Sequence, residues 1–178
     1  MTKTMISYGR VTQTLHWLSA LLLIGMIPAG LIMTRIAEGP AKQSLYQLHV
    51  LLGLGVLLLT LVRLIWRFVE PWPPAPPGLS PVRAKAFTWN HILLYVVLAL
   101  LLLSGISMLL LSNLSLSPMT LTPETIQDVP PRLAHDILSK VFILLFVMHL
   151  GGVLQYQFRK GDSLSRMGIM PARQRDAK

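Results

Sequence analysis

The chain has 178 residues, 53% hydrophobic and only 13% charged, with a mean hydropathy of +0.59, thirteen prolines and no cysteine. Soluble domains carry about 25% charged residues, so a chain this apolar throughout is not disordered, a nucleic-acid tail or an ordinary soluble enzyme. The missing cysteines exclude disulfides, zinc–thiolate centres and iron–sulfur clusters.

Four apolar stretches are each long enough to cross a bilayer: residues 11–33, 45–64, 91–111 and 133–158. They predict an all-α integral membrane four-helix bundle occupying residues 1–178 as a single domain. Lys3 and Arg10 ahead of the first stretch imitate a signal peptide. The apolar run is too long for one and no small-x-small cleavage pattern follows, so a retained anchor is expected. Pro28 should kink the first helix, which membrane spans tolerate. Ser44-Leu45-Tyr46-Gln47 fits a capping box for the second helix, although Pro40 also suits a helix start. Residues 71–81 read PWPPAPPGLSP, a stiff polyproline-like connector. Residues 112–132 form a longer loop in which Thr122-Pro123 starts a short interfacial turn, and Pro130-Pro131 opens the fourth span.

Charge orients the bundle. With four spans, both termini and the proline-rich connector share one side. That side carries twelve cations, Arg63, Arg67 and Arg166 among them, against Glu70, Asp162 and Asp176. On the opposite side Arg35, Lys42, Arg132 and Lys140 balance Glu38, Glu124, Asp128 and Asp136. A Lys/Arg excess marks the cytoplasmic face, so both termini are expected in the cytoplasm. The net charge of +9 is then a topology signal with anionic membrane lipid as its partner. Nucleic acid is not implied.

All five histidines, His16, His49, His91, His135 and His149, fall in or at the ends of the spans. Ionisable groups in membrane spans are costly and usually mark a bundle interior or a functional site. His135 and His149 are fourteen residues apart, which at about 100° per residue leaves them within roughly 40° of one face. The rise separates them by ~21 Å, too far to share a metal. His49 matches the depth of His135, and His16 and His91 match that of His149. Two stacked layers of imidazoles from different helices are what two bis-histidine b-type haems require. Count pairs His49 with His135. The other layer allows three pairings, of which His16–His149 is favoured because His149 shares its face with His135. Gly53, Gly105, Gly151 and Gly152 supply small residues near these rings, where a flat macrocycle or ordinary helix packing would use them. Without cysteine, any haem is non-covalent. Apart from Asp136 the spans hold almost no acid, which argues against carboxylate-rich di-metal sites.

These features together resemble the bacterial cytochrome b-561 family of small di-haem membrane proteins, which includes superoxide oxidases. The resemblance spans roughly residues 8–171. It rests on Thr14-Leu15-His16-Trp17, Leu48-His49-Val50 with Gly53, Val62-Arg63-Leu64-Ile65-Trp66-Arg67, the proline-rich connector, Asn90-His91, Ala134-His135 and His149. It implies that His16 and His149 ligate the iron of the haem near the termini, and His49 and His135 that of the other. It also implies ubiquinone as electron acceptor, and an inner (plasma) membrane location.

The expected activity is that of a superoxide:ubiquinone oxidoreductase, with superoxide as the outer-face donor. Arg35, Lys42, Arg132 and Lys140 are candidates for attracting the anion. His91, the unligated histidine, is the candidate for quinone contact, and Arg63 and Arg10 for pairing haem propionates. The alternative is a cytochrome b electron-transfer subunit that docks on a hydrogenase or dehydrogenase, with residues 114–130 as its surface. A haem-free transporter or adaptor would leave the histidine layers without a reason. Trp66, Trp72 and Trp89 read as interface anchors, and the nine methionines as packing filler.

Overall fold

The computed structural model describes residues 7–70, 74–112, 122–127, 129–160 and 163–169. Among these residues all regular structure is helical: α1 (Arg10–Met33), α2 (Pro40–Val69), α3 (Pro81–Leu111), α4 (Pro123–Gln127), α5 (Pro131–Lys160) and α6 (Ser163–Arg166). The chain is a four-span membrane protein. Helices α1, α2, α3 and α5 are each long and apolar enough to cross a bilayer. Much of their apolar surface faces outward, as lipid requires; Leu21, Leu58 and Phe68 are 68%, 64% and 90% exposed.

The helices are longer than the hydropathy windows suggested, because their ends carry polar residues that hydropathy leaves out. α2 starts at Pro40, in the first turn, where a missing N–H costs nothing. Gly39 precedes it at φ 150°, a conformation open to glycine but not to side chains with a Cβ. Ser44 therefore lies inside the helix, and the anticipated capping box is not used. Ser80 caps α3 by accepting from the Arg83 N–H, so that helix begins ten residues before His91. α1 runs continuously through Pro28. The expected interfacial turn is α4, and Pro131 opens α5. Residues 71–73 of the connector and 113–121 of the long loop lie outside the described residues.

Packing is uneven. α1 lies along α2 and α3 along α5, whereas the two pairs meet mainly where α2 crosses α3. Between them sits a small central core of Val56, Val97, Leu98, Phe142 and Leu145. At the end remote from the termini, here the distal end, α4 helps to close a second cluster of Met33, Tyr46, Met108, Leu109 and Ile126.

The termini end is tied by hydrogen bonds. Glu70, just past α2, accepts from the Gly9 N–H at 2.6 Å, the Thr12 hydroxyl at 2.8 Å and the Trp66 indole at 3.1 Å. Trp66 is thus a structural donor as well as an interfacial aromatic. The Gly9 N–H, and secondarily the Thr12 and Trp66 donors, hold the Glu70 carboxyl below its ordinary pKa. A lowered folded value means the stabilisation is complete above the unfolded carboxylate range, about pH 4.3, and is lost as pH falls through the folded value. Replacing Glu70 with Gln should lower the thermal midpoint by a few degrees at pH 7, equivalent to about 1 kcal/mol. It should also flatten the loss of stability between about pH 5 and 3, as read by melting curves in detergent.

Candidate functional site

Two cavities open between the helix pairs, one toward each membrane surface. The distal cavity, about 220 Å³, is lined by His49 of α2 and His135 of α5. The cavity at the termini end, about 240 Å³, is lined by His16 of α1, His91 of α3 and His149 of α5. All five histidines face this slot. Leu23, Leu98 and Phe142 line both cavities and form the wall between them.

His49 and His135 have centroids 6.3 Å apart, and His16 and His149 also 6.3 Å apart. Two imidazoles on opposite sides of one metal, each bonded at about 2 Å, have centroids roughly 6 Å apart. Both pairs fit that spacing. His91 lies closer to His149, at 5.0 Å and edge-on, which is too short for the same opposed arrangement. By this spacing His16, and not His91, stands opposed to His149. Among the described residues no three metal-ligating side chains gather as a conventional metal centre.

Hydrogen bonds fix two of the rings. The Ser104 hydroxyl donates its one proton to the Leu101 carbonyl at 2.7 Å, so the His135 Nδ1–H must donate to Ser104 Oγ at 3.0 Å. The unprotonated nitrogen of His135 is then Nε2. His91 Nδ1 is 2.7 Å from the Phe87 carbonyl, which only accepts, so His91 too keeps Nε2 free of a proton when neutral. His49 Nδ1 is buried without a hydrogen-bond partner among the described residues. Such burial is costly in an apolar wall and is expected beside a cavity built for a ligand.

Glycines give the rings room. A Cβ on Gly30 would lie 3.3 Å from His49 Cε1, and one on Gly105 would lie 3.4 Å from His135 Cε1. Gly53 lines the distal cavity as anticipated. Gly151 and Gly152 do not serve His149: both are exposed, with open space where a Cβ would stand. Helix periodicity places them on the lipid side because His149 itself turns inward.

The charged residues sort differently from their sequence roles. Arg63, with its guanidinium over the Tyr95 ring, lines the termini-end cavity together with Arg67 and Arg166. Arg10 is exposed and away from it, being on the outward side of the first turn of α1. Tyr8 also lines this cavity, and burial pushes its hydroxyl pKa up, partly offset by Arg166. At the distal cavity Arg132 and Lys140 reach the lining, but Lys140 is paired with Asp136 at 2.7 Å. Lys42 is buried and held by Glu38 at 2.5 Å, and Arg35 is exposed away from the cavity. Trp89 is exposed, and Trp72 lies outside the described residues.

Sequence reasoning missed Gly30, Ser104, Arg67 as a cavity residue, and Arg166. Gly30 and Ser104 lie on helices other than the histidines they support, so no spacing along one helix reveals them. Arg67 lies one turn after Arg63, and that i,i+4 relation was a usable signal.

The sequence profile of the prokaryotic cytochrome b561 family matches residues 7–168. "Cytochrome b561 homolog 2" of Escherichia coli (strain K12) is 31% identical over 180 residues, covering 93% of this chain and 93% of that protein. The chain belongs to the prokaryotic cytochrome b561 family, bacterial inner-membrane cytochromes of electron transfer that bind b-type haem. The donor set fits such a group, with two opposed imidazole pairs, an unpartnered His49 nitrogen and glycine clearances beside the rings.

Replacing Ser104 with Ala should weaken haem retention up to about tenfold, since partners of a ligating histidine typically contribute 10–100-fold and the Leu101 carbonyl remains. Replacing Gly30 with Val should displace His49 and lower the haem bound per chain. The same change at Gly25, which faces open space, should leave it unaltered. Haem per chain in purified protein reads all three.

Proposed function

We propose that this cytochrome holds two b-type haems and moves electrons across the membrane from superoxide at the distal face to ubiquinone. The reading rests on one observation above others: two separate opposed histidine pairs at the same 6.3 Å spacing, one in each cavity. Each bound haem would supply one-electron exchange at iron. His49 and His135 would grip one haem and His16 and His149 the other, so that α5 contributes to both. The Lys/Arg excess makes the termini end the cytoplasmic side.

The remaining residues perform binding and proton work. Were both histidine pairs to hold haem iron, superoxide would give up its electron by close approach to the distal cavity. Arg132 supports this at the distal wall. It has no ion pair among the described residues, so its charge remains available to an anion. At the other end His91 lines a cavity also lined by Tyr8, and its imidazole would take up a proton and pass it to a quinone oxygen as that oxygen is reduced. In balance, two superoxide anions become two oxygen molecules while ubiquinone takes up two electrons and two protons to give ubiquinol. The chain binds, orients and excludes water; the redox chemistry belongs to the cofactors.

Purified wild-type protein should contain two low-spin haems per chain. His49→Ala and His135→Ala should each halve that number while leaving the signal of the other site in place. An unchanged haem content in both variants would overturn the ligand assignment. In proteoliposomes loaded with ubiquinone, superoxide should reduce the haem faster than it dismutates, and Arg132→Gln should slow that reduction several-fold. No acceleration, together with co-purification of a redox enzyme, would instead make the chain an electron-transfer subunit of a hydrogenase or dehydrogenase.

A further inference from the structure

Beyond the histidines, the most heavily tied feature of the molecule is the segment after α5. It turns back across the termini-end cavity, where Ser163, Leu164, Arg166 and Met167 join the lining. Three separate parts of the chain hold it there. The Tyr8 N–H donates to the Arg166 carbonyl at 3.1 Å, and the Gln13 amide donates to the carbonyls of both Tyr8 and Arg166. The Trp17 indole donates to the Met167 carbonyl at 2.9 Å. Arg166 reaches the connector, with Nη2 donating to the Pro74 carbonyl at 2.9 Å. Its guanidinium also lies 5.7 Å from the Tyr8 ring centre.

Arg166 is only 6% exposed, and its Nε is buried without a hydrogen-bond partner among the described residues. An arginine with this much anchoring and one orphaned donor beside a cavity is incomplete. A buried guanidinium needs an anion as well as hydrogen bonds. The same cavity is lined by Arg63 and Arg67, and no Asp or Glu among the described residues lines it. Glu70, at the same end of the bundle, is already engaged by three other donors. An anion held in the cavity would supply the partner that the described residues do not.

We propose that Arg166 is a binding residue for a carboxylate inside the termini-end cavity, a propionate of the haem held there, and that residues 163–169 are the lid this contact locks. The inference rests on the two-haem reading above. Arg63 and Arg67 share the anion pocket from α2, and Arg166 closes it from the opposite end of the sequence. A guanidinium suits a carboxylate because its planar donors match two oxygens at once. Loading this site would thereby fasten the C-terminal segment to the N-terminal one and to the connector.

The test is a redox titration of the purified, haem-loaded full chain, with haem release to an apoprotein acceptor followed in parallel. A cation beside a carboxylate on the haem favours the reduced, more electron-rich state. Arg166→Gln should therefore lower one of the two midpoint potentials, leave the other in place, and release one haem roughly tenfold faster. Arg166→Lys should restore most of the potential, since it keeps the charge. Two unmoved midpoints in Arg166→Gln, with both haems present, would overturn the inference. Loss of tightly bound phospholipid in that case would assign the site to a lipid phosphate. If neither variant folds with haem, Arg166 serves only the strap and the inference also falls. A wild-type protein with fewer than two haems would instead fail the reading on which the inference rests.

Discussion

A histidine ring at membrane depth has to be satisfied, and that constraint organises this protein. Lipid offers no hydrogen bonds, so each buried imidazole needs a protein partner, a ligand or both. The rings project into a slot between two helix pairs that otherwise touch mainly where α2 crosses α3. The shortage of direct side-chain packing there is the expected cost of keeping two cavities open. Whatever fills them replaces the contacts that a cofactor-free bundle would make. His135 is fixed through Ser104, His91 through Phe87, and His49 leans toward Gly30. These supports lie on α1 and α3, whereas His49 and His135 lie on α2 and α5, so the site is a property of the assembled bundle.

The two ends of the slot are built to different specifications. The distal cavity has Arg132 beside a paired Lys140 and Asp136, and a lid of apolar residues from α4 and its neighbours. The termini-end cavity has three arginines and a lid of hydrogen-bonded backbone. A wall with a single unpaired cation leaves an anion free to come and go, whereas three guanidinium groups, one of them buried, retain one. On the proposed reading, that difference would suit a transient substrate at one end and a resident anionic group at the other.

Much of this was legible in the sequence because it depends on periodicity. Four spans follow from hydropathy. The shared face of His135 and His149 follows from 3.6 residues per turn, and depth groups His49 with His135 and His16 and His91 with His149, as the two cavities do. Helix ends were less legible, since Pro40 and Pro81 lie in polar flanks where hydropathy is silent. The failures share one cause. Gly151 and Gly152 are adjacent to a functional histidine in sequence yet face away from it, while Gly30 and Ser104 touch functional rings from other helices. Arg10 sits at the right depth and the wrong azimuth. Arg166 comes from a segment that only a fold-back places over the cavity. Depth is readable from a sequence; rotation and long-range return are not.

The wall of Leu23, Leu98 and Phe142 carries the last step. Phe142 is 3% and Leu98 7% exposed, and none of the three can hold or pass a proton. An apolar barrier of this kind passes electrons far more readily than protons, because a proton needs titratable groups or ordered water. If electrons enter at the distal cavity and quinone is reduced at the other, the protons must be taken up on the termini side of that wall. The groups there that can exchange them, His91 and Tyr8, line the termini-end cavity itself. On the proposed orientation, proton uptake would then be confined to the cytoplasmic side, while superoxide loses its electron on the opposite one. The same three apolar side chains that separate the two histidine pairs would thereby make the reaction directional across the membrane.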